Sequence, residues 1–143
     1  MRAPLLLVAA LALAASPAAG ASPRHPPRLL GGLEEADAQE EGVRRALDFA
    51  MSEYNKGSND AYHSRAVQVV RARKQIVSGV NYYIDVEIGR TTCTKSQANL
   101  PDLADCPFHD QPHLMKKTLC SFQVYTVPWK GSHSLTKSSC QNA

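Results

Sequence analysis

From Val80 to Ile88 the chain alternates without a break: Val80, Tyr82, Ile84, Val86 and Ile88 are separated by Asn81, Tyr83, Asp85 and Glu87. Successive side chains of a strand point to opposite faces, so nine residues of strict alternation demand a strand with one buried face. Such a strand suits an antiparallel sheet with one side on a core and the other in water. Upstream, Val67, Val69 and Val70 lead into Gln75-Ile76-Val77-Ser78-Gly79. Gly79 can supply the positive φ of a tight reversal, so the two segments are expected to form a long hairpin. Leu119 to Val127 is a further strand, Pro128-Trp129-Lys130-Gly131 a turn, and His133 to Cys140 its antiparallel return. Thr94 to Pro112 is polar, carries three prolines and reads as a loop.

One segment has the other periodicity. Between Asp37 and Tyr54, Val43, Leu47, Ala50 and Tyr54, joined by Ala46 and Met51, recur at the spacing of one helix face. Asp37, Glu40 and Glu41 lie at its start, where the helix dipole favours acids, and Asn55, Gly57 and Asn59 supply the stop. One helix followed by hairpin-connected strands is an α+β arrangement, with the sheet's apolar face laid on the helix stripe.

The ends and the cysteines indicate where such a domain works. Met1 and Arg2 precede the apolar run Leu5 to Ala15, and Ala18, Ala19, Gly20 and Ala21 follow with the small-residue spacing of a cleavable leader. Residues 1–20 are therefore expected to be a signal peptide, residues 21–32 a flexible arm with three prolines, and residues 33–143 the folded domain. The apolar run is eleven residues long, too short for a membrane of about 30 Å, so a secreted, membrane-free product is expected. Without Arg2 the charge is 15 basic against 13 acidic side chains, or +2, too mild to argue for nucleic acid as a partner. Arg71, Arg73 and Lys74 form the one basic group, read as a solvated strand face. Cys93, Cys106, Cys120 and Cys140 are an even set in an oxidising compartment, so two disulfides are expected, in any of three connectivities. Zinc is the rival use, but there is no C-x-x-C pair.

Nothing marks an enzyme. There is no G-x-S-x-G, H-E-x-x-H or P-loop pattern, and each cysteine is better explained as half of a disulfide. His109 and His113 have a metal-like spacing, but Pro112 lies between them and prevents the helix that would align them. A small ribonuclease-like enzyme would need two histidines and a lysine, and nothing marks their positions. No cofactor or metal is expected. What stands out is apolar side chains in an arm and two turns: Leu29-Leu30 before Gly31-Gly32, Ile76-Val77 before Gly79, and Trp129 after Pro128. Turns are usually polar, and a bare tryptophan at a hairpin tip is explained by a partner that covers it. Brought to one sheet edge, the three would make a narrow apolar wedge.

Gln75-Ile76-Val77-Ser78-Gly79 matches the Q-x-V-x-G signature of the cystatins, Pro128-Trp129 matches their second hairpin, and Gly31 stands where they keep an N-terminal glycine. With all three in order, in a signal-bearing chain with paired cysteines toward its C-terminus, the chain resembles a type 2 cystatin over essentially its whole mature length. One departure is Leu100 to Asp105, about three residues longer than the family pattern inside the first cysteine loop.

The resemblance implies a five-stranded antiparallel sheet wrapped around one long helix. It also implies the sequential disulfides Cys93–Cys106 and Cys120–Cys140, whose loops of 12 and 19 residues would each stabilise by about 3 kcal/mol. It further implies tight, reversible inhibition of papain-like proteases such as cathepsins B, H, L and S. Leu29, Leu30 and Gly31 would fill one side of the cleft, and Gln75 to Gly79 with Pro128 and Trp129 the other. Ser58-Asn59-Asp60 resembles the segment with which several type 2 cystatins block legumain, an asparagine-specific protease; composition alone makes it a turn. Non-inhibitory carriers such as the cathelicidin propieces share the fold, but they generally lack an intact Q-x-V-x-G and Pro-Trp pair. Val77 is β-branched at a sharp tip and so expected to be strained, which would favour a monomer able to form a domain-swapped dimer.

Overall fold

A computed structural model of the chain describes residues 32–96 and 102–142. The expected signal peptide, Leu29, Leu30 and Gly31 of the expected arm, and Leu100 and Pro101 of the long segment lie outside the described residues. A short strand β1 (Leu33–Glu35) leads to helix α1 (Glu41–Gly57), followed by β2 (Tyr62–Ile76) and β3 (Val80–Thr94). After a single 3₁₀ turn at Leu103–Asp105 come β4 (Lys117–Val127), a second 3₁₀ turn (Pro128–Lys130) and β5 (Ser132–Asn142). The five strands lie in sequence order in one antiparallel sheet.

The alternating strand sits at the centre. Tyr82, Ile84, Val86 and Ile88 of β3, with Phe122 and Val124 of β4, bury their side chains against Val43, Ala46, Ala50 and Met51 of α1. Each large aliphatic or aromatic side chain removed from water contributes on the order of 2 kcal/mol, so the helix is held by its stripe rather than by propensity. The disulfides are Cys93–Cys106 and Cys120–Cys140, the sequential pairing. The second links residues directly opposite one another on β4 and β5, with Cα atoms 4.1 Å apart.

Local expectations fail at four places. The helix starts at Glu41 rather than Asp37, because residues 37–40 form a turn ahead of it, closed by the Glu40 amide donating to the Asp37 carbonyl at 3.0 Å. There the Gln39 amide donates to Asp37 Oδ1 at 2.7 Å and the Asp37 amide to Glu40 Oε2 at 3.1 Å. Asn55 is not a stop: it lies inside the helix, buried at 6% exposure. Gly79 does not have a positive φ; among the described residues that conformation belongs to Gly131 alone, at 63° in the second turn. Val77 accordingly shows no left-handed strain. The basic group is a set of struts as much as a solvated face. Arg71 pairs with Glu35 of β1, and Lys74 Nζ lies 3.0 Å from Glu40 Oε1, fastening strand and helix entry to β2. The Asp37 amide and then Lys74 hold the Glu40 carboxyl below the usual carboxylate range.

Candidate functional site

The register determines which parts meet. Leu33 pairs with Gln75, Ile76 with Val80, and Val80 with Thr126, close to the Val127–Ser132 pair that closes the second hairpin. The start of β1 and both hairpin turns therefore lie side by side at one end of the sheet. Residues 29–31, which precede β1 in the chain, lie outside the described residues.

The two turns are built differently. Residues 77–79 form a three-residue loop closed by the Val77 amide donating to the Gly79 carbonyl at 2.9 Å. Gly79 is needed here for proximity: an ideal Cβ on it would lie 2.5 Å from the backbone oxygen of Thr126 and 2.8 Å from the Tyr125 hydroxyl. The hydroxyls of Ser78 and Tyr125 are 3.4 Å apart, a second tie between the hairpins. In the other turn proline occupies the first 3₁₀ position, and Gly131 takes the left-handed conformation with its amide donating to the Pro128 carbonyl at 3.1 Å. Proline and glycine there match what each position requires.

Ile76 is 43% exposed and Trp129 71%, whereas Val77 is half-buried. Ser78 and Pro128 are exposed. Gln75 differs in kind. Its side-chain oxygen accepts a hydrogen bond from the Tyr83 hydroxyl at 2.9 Å and lies 3.4 Å from Asn81 Nδ2, so it is tied across the hairpin to β3. This end of the sheet offers a projecting apolar edge in the exposed side chains of Ile76 and Trp129.

Ser58-Asn59-Asp60 lies at the opposite end, in the connection from α1 to β2. Tyr62 begins β2 and Ile76 ends it, so the two regions are separated by a strand on the order of 45 Å long. Asn59 is exposed, while Ser58 and Asp60 are half-buried and engaged with their surroundings. Arg90 of β3 donates from Nε at 2.9 Å and Nη2 at 2.7 Å to Asp60 Oδ2, and the Tyr62 amide donates to Oδ1 at 3.0 Å. Burial pushes the Asp60 carboxyl up, but the Tyr62 amide and Arg90 outweigh it and hold the group below its ordinary range.

Sequence reasoning missed the residue that anchors this region. Asn55 Nδ2 donates to the Ser64 carbonyl and the Ser64 amide donates to Asn55 Oδ1, both at 2.9 Å. The side-chain amide thus satisfies both backbone groups of Ser64 and joins the last turn of α1 to β2. An asparagine in the last helical turn, still ahead of Gly57, is the one signal that could have exposed it, since asparagine is a poor helix former whose side chain bonds readily to nearby backbone. His109, weighed as a metal-like histidine, instead packs edge-on against Tyr62 with ring centres 4.4 Å apart.

A family model described as "Cystatin domain" matches residues 31–129. The chain is 72% identical to mouse cystatin-C over 143 residues, covering all of this chain and 97% of that protein. To human cystatin-C it is 69% identical over 145 residues, with the same coverage. Among solved structures, that of dimeric human cystatin F is similar with a TM-score of 0.74 and 29% identity, covering 85% of this chain and 95% of that one. The sheet order, the Gln75–Gly79 and Pro128–Trp129 turns and these similarities agree: the chain belongs to the cystatin family, on its type 2 branch close to cystatin C, and is an inhibitor of cysteine proteases rather than an enzyme.

Proposed function

We propose that the protein is secreted and that it inhibits papain-like cysteine proteases, cathepsins B, H, L and S among them, by seating its apolar sheet end in their active-site groove. The supporting observation is the juxtaposition of the two hairpin turns, with Trp129 71% exposed beside a turn that carries Ile76 and Val77. Leu29, Leu30 and Gly31 would extend this edge on the non-primed side of the cleft, and the two turns would cover the primed side. Trp129, Ile76 and Pro128 are the contact residues; Gln75 and Gly79 set the shape of the first turn. Two preset hairpins lose little entropy on docking, which favours nanomolar affinity from an interface of roughly 1,600 Å². No group of the edge attacks a thiolate, so inhibition is reversible and needs no reactive cysteine in the protease. Titration of papain should give one-to-one inhibition, and papain with its cysteine carboxymethylated should still bind. A covalent adduct, or full activity at micromolar inhibitor, overturns the reading.

A second site is favoured by the exposure of Asn59 on a braced loop at the far end of the sheet. Legumain would take Asn59 in its asparagine pocket, independently of the papain-like partner. Asn59→Lys should abolish legumain inhibition and leave papain inhibition intact; loss of both together counts against two separate sites. The protein is proposed to be a monomer that can exchange α1 and its preceding strand β1, together with β2, with a second copy. Residues 77–79 would then run straight, so the dimer would lose papain inhibition and keep the Asn59 site. Size-exclusion chromatography after mild guanidinium treatment, with both proteases assayed on each peak, tests this.

A further inference from the structure

The connection between α1 and β2 is short, polar and surface-facing, yet it is tied at almost every residue. Ser58 Oγ accepts from the Asp60 amide at 3.1 Å, and the Ser58 carbonyl accepts from Lys95 Nζ at 2.8 Å. The Lys95 amide donates back to the Ala61 carbonyl at 2.8 Å. Asp60 is clamped by the two Arg90 nitrogens, and the third donor of that guanidinium, Nη1, reaches the Leu114 carbonyl at 2.9 Å. The side chains of Arg90 and Asp60 are only 20% and 15% exposed, so water competes weakly for these bonds. Beneath the loop, Asn55 locks the last helical turn to Ser64.

These ties have a common origin. Arg90, near the distal end of β3, and Lys95, the residue just past it, stand on either side of Cys93, whose disulfide to Cys106 closes the loop ahead of Leu114. Arg90 thus bridges two segments that are far apart in sequence, the α1–β2 connection and the approach to β4. Asn59 is the residue of the Ser58–Asp60 segment that these side-chain bonds leave out, and it is exposed.

We infer that Arg90, Lys95 and Asp60 are positioning residues that hold the α1–β2 loop in a single conformation, so that Asn59 alone is presented to an asparagine-specific protease. The inference rests on the second-site reading above and alters its residue assignment: Asp60 faces inward to Arg90 and is not a contact residue. Inhibition through this loop depends on preorganisation. A free loop would sample many conformations and lose that ordering entropy on binding, whereas a clamped loop has already lost it.

The test uses full-length mature protein with Lys95→Met and, separately, Arg90→Met. Each is assayed against legumain and papain, with amide hydrogen exchange followed at Asp60 and Tyr62. The expected result is at least tenfold weaker legumain inhibition, at least tenfold faster exchange at those amides, and papain inhibition within twofold of wild type. Papain engages the other end of the sheet, so its inhibition reports that the domain is folded. Lys95→Met removes one surface tie and keeps the test valid should Arg90→Met, which strands a half-buried carboxylate, fail to fold. Variants that inhibit legumain as well as wild type, or whose exchange is unchanged, overturn the positioning role. Wild-type protein that leaves legumain active refutes the second site itself and with it the presentation of Asn59, while the exchange data still report whether the loop is clamped.

Discussion

Replacing Gly79 with alanine adds one methyl group where the first hairpin turn passes closest to β4. That methyl would lie 2.5 Å from the Thr126 carbonyl oxygen and within 2.9 Å of the Tyr125 ring, whereas ordinary contacts begin near 3.4 Å. The tyrosine can swing aside. The Thr126 oxygen cannot, because Thr126 is a sheet residue between Val80 and His133. The turn must therefore withdraw by nearly an ångström, which disturbs the Val77–Gly79 bond and the Ser78–Tyr125 contact. Overpacking of this kind costs about 1–3 kcal/mol, and here it falls on the geometry between the two turns. Papain inhibition should weaken by roughly 5- to 150-fold, measured as Ki by titration. Gly57→Ala is the matched control: nothing lies within 4 Å of its added methyl at the end of α1, so it should leave Ki unchanged. A Gly79→Ala protein whose Ki stays within twofold of wild type refutes the close-approach argument.

Asn55→Ala deletes both bonds to Ser64 and leaves that residue's backbone groups unsatisfied at 7% exposure, so urea unfolding should show a loss of about 2–4 kcal/mol; a loss below about 0.5 kcal/mol would contradict the anchoring role. Trp129→Ala should weaken papain binding by about 2–4 kcal/mol if it is an anchor, yet leave the unfolding midpoint nearly unchanged because the side chain is 71% exposed. Asp60 has a carboxyl held below its ordinary range, so its stabilising contribution is present above the unfolded-state value and is lost as pH falls through the folded one. Urea midpoints of the wild type should therefore drop more steeply on acidification than those of Asp60→Asn, and parallel acid limbs would count against the Arg90 clamp.

The amino-acid sequence by itself determined the elements and the apolar edge. Alternation through Val80 to Ile88 and the stripe from Val43 to Tyr54 are local signals, because a strand repeats every two residues and a helix every 3.6. Pro128, Trp129 and the Gln75–Gly79 run likewise mark two turns and the family without coordinates. The bounds of strand β1 carry no local signal because Leu33–Glu35 is three residues long, too short to show a period. Tertiary structure alone decided what each turn residue is for. From local sequence Gly79 reads as a conformational glycine, but the chain that makes it necessary, at Thr126, is 47 residues away and enters only through the register of β3 on β4. Asn55 reads as a helix stop and serves as an edge partner for Ser64; Asp60, in the segment that resembles a recognition loop, is also held by Arg90, 30 positions on. Periodicity records which way a side chain faces, whereas the roles of Gly79, Asn55 and Asp60 depend on which distant backbone or guanidinium the fold brings within 3 Å, and no local pattern encodes that distance.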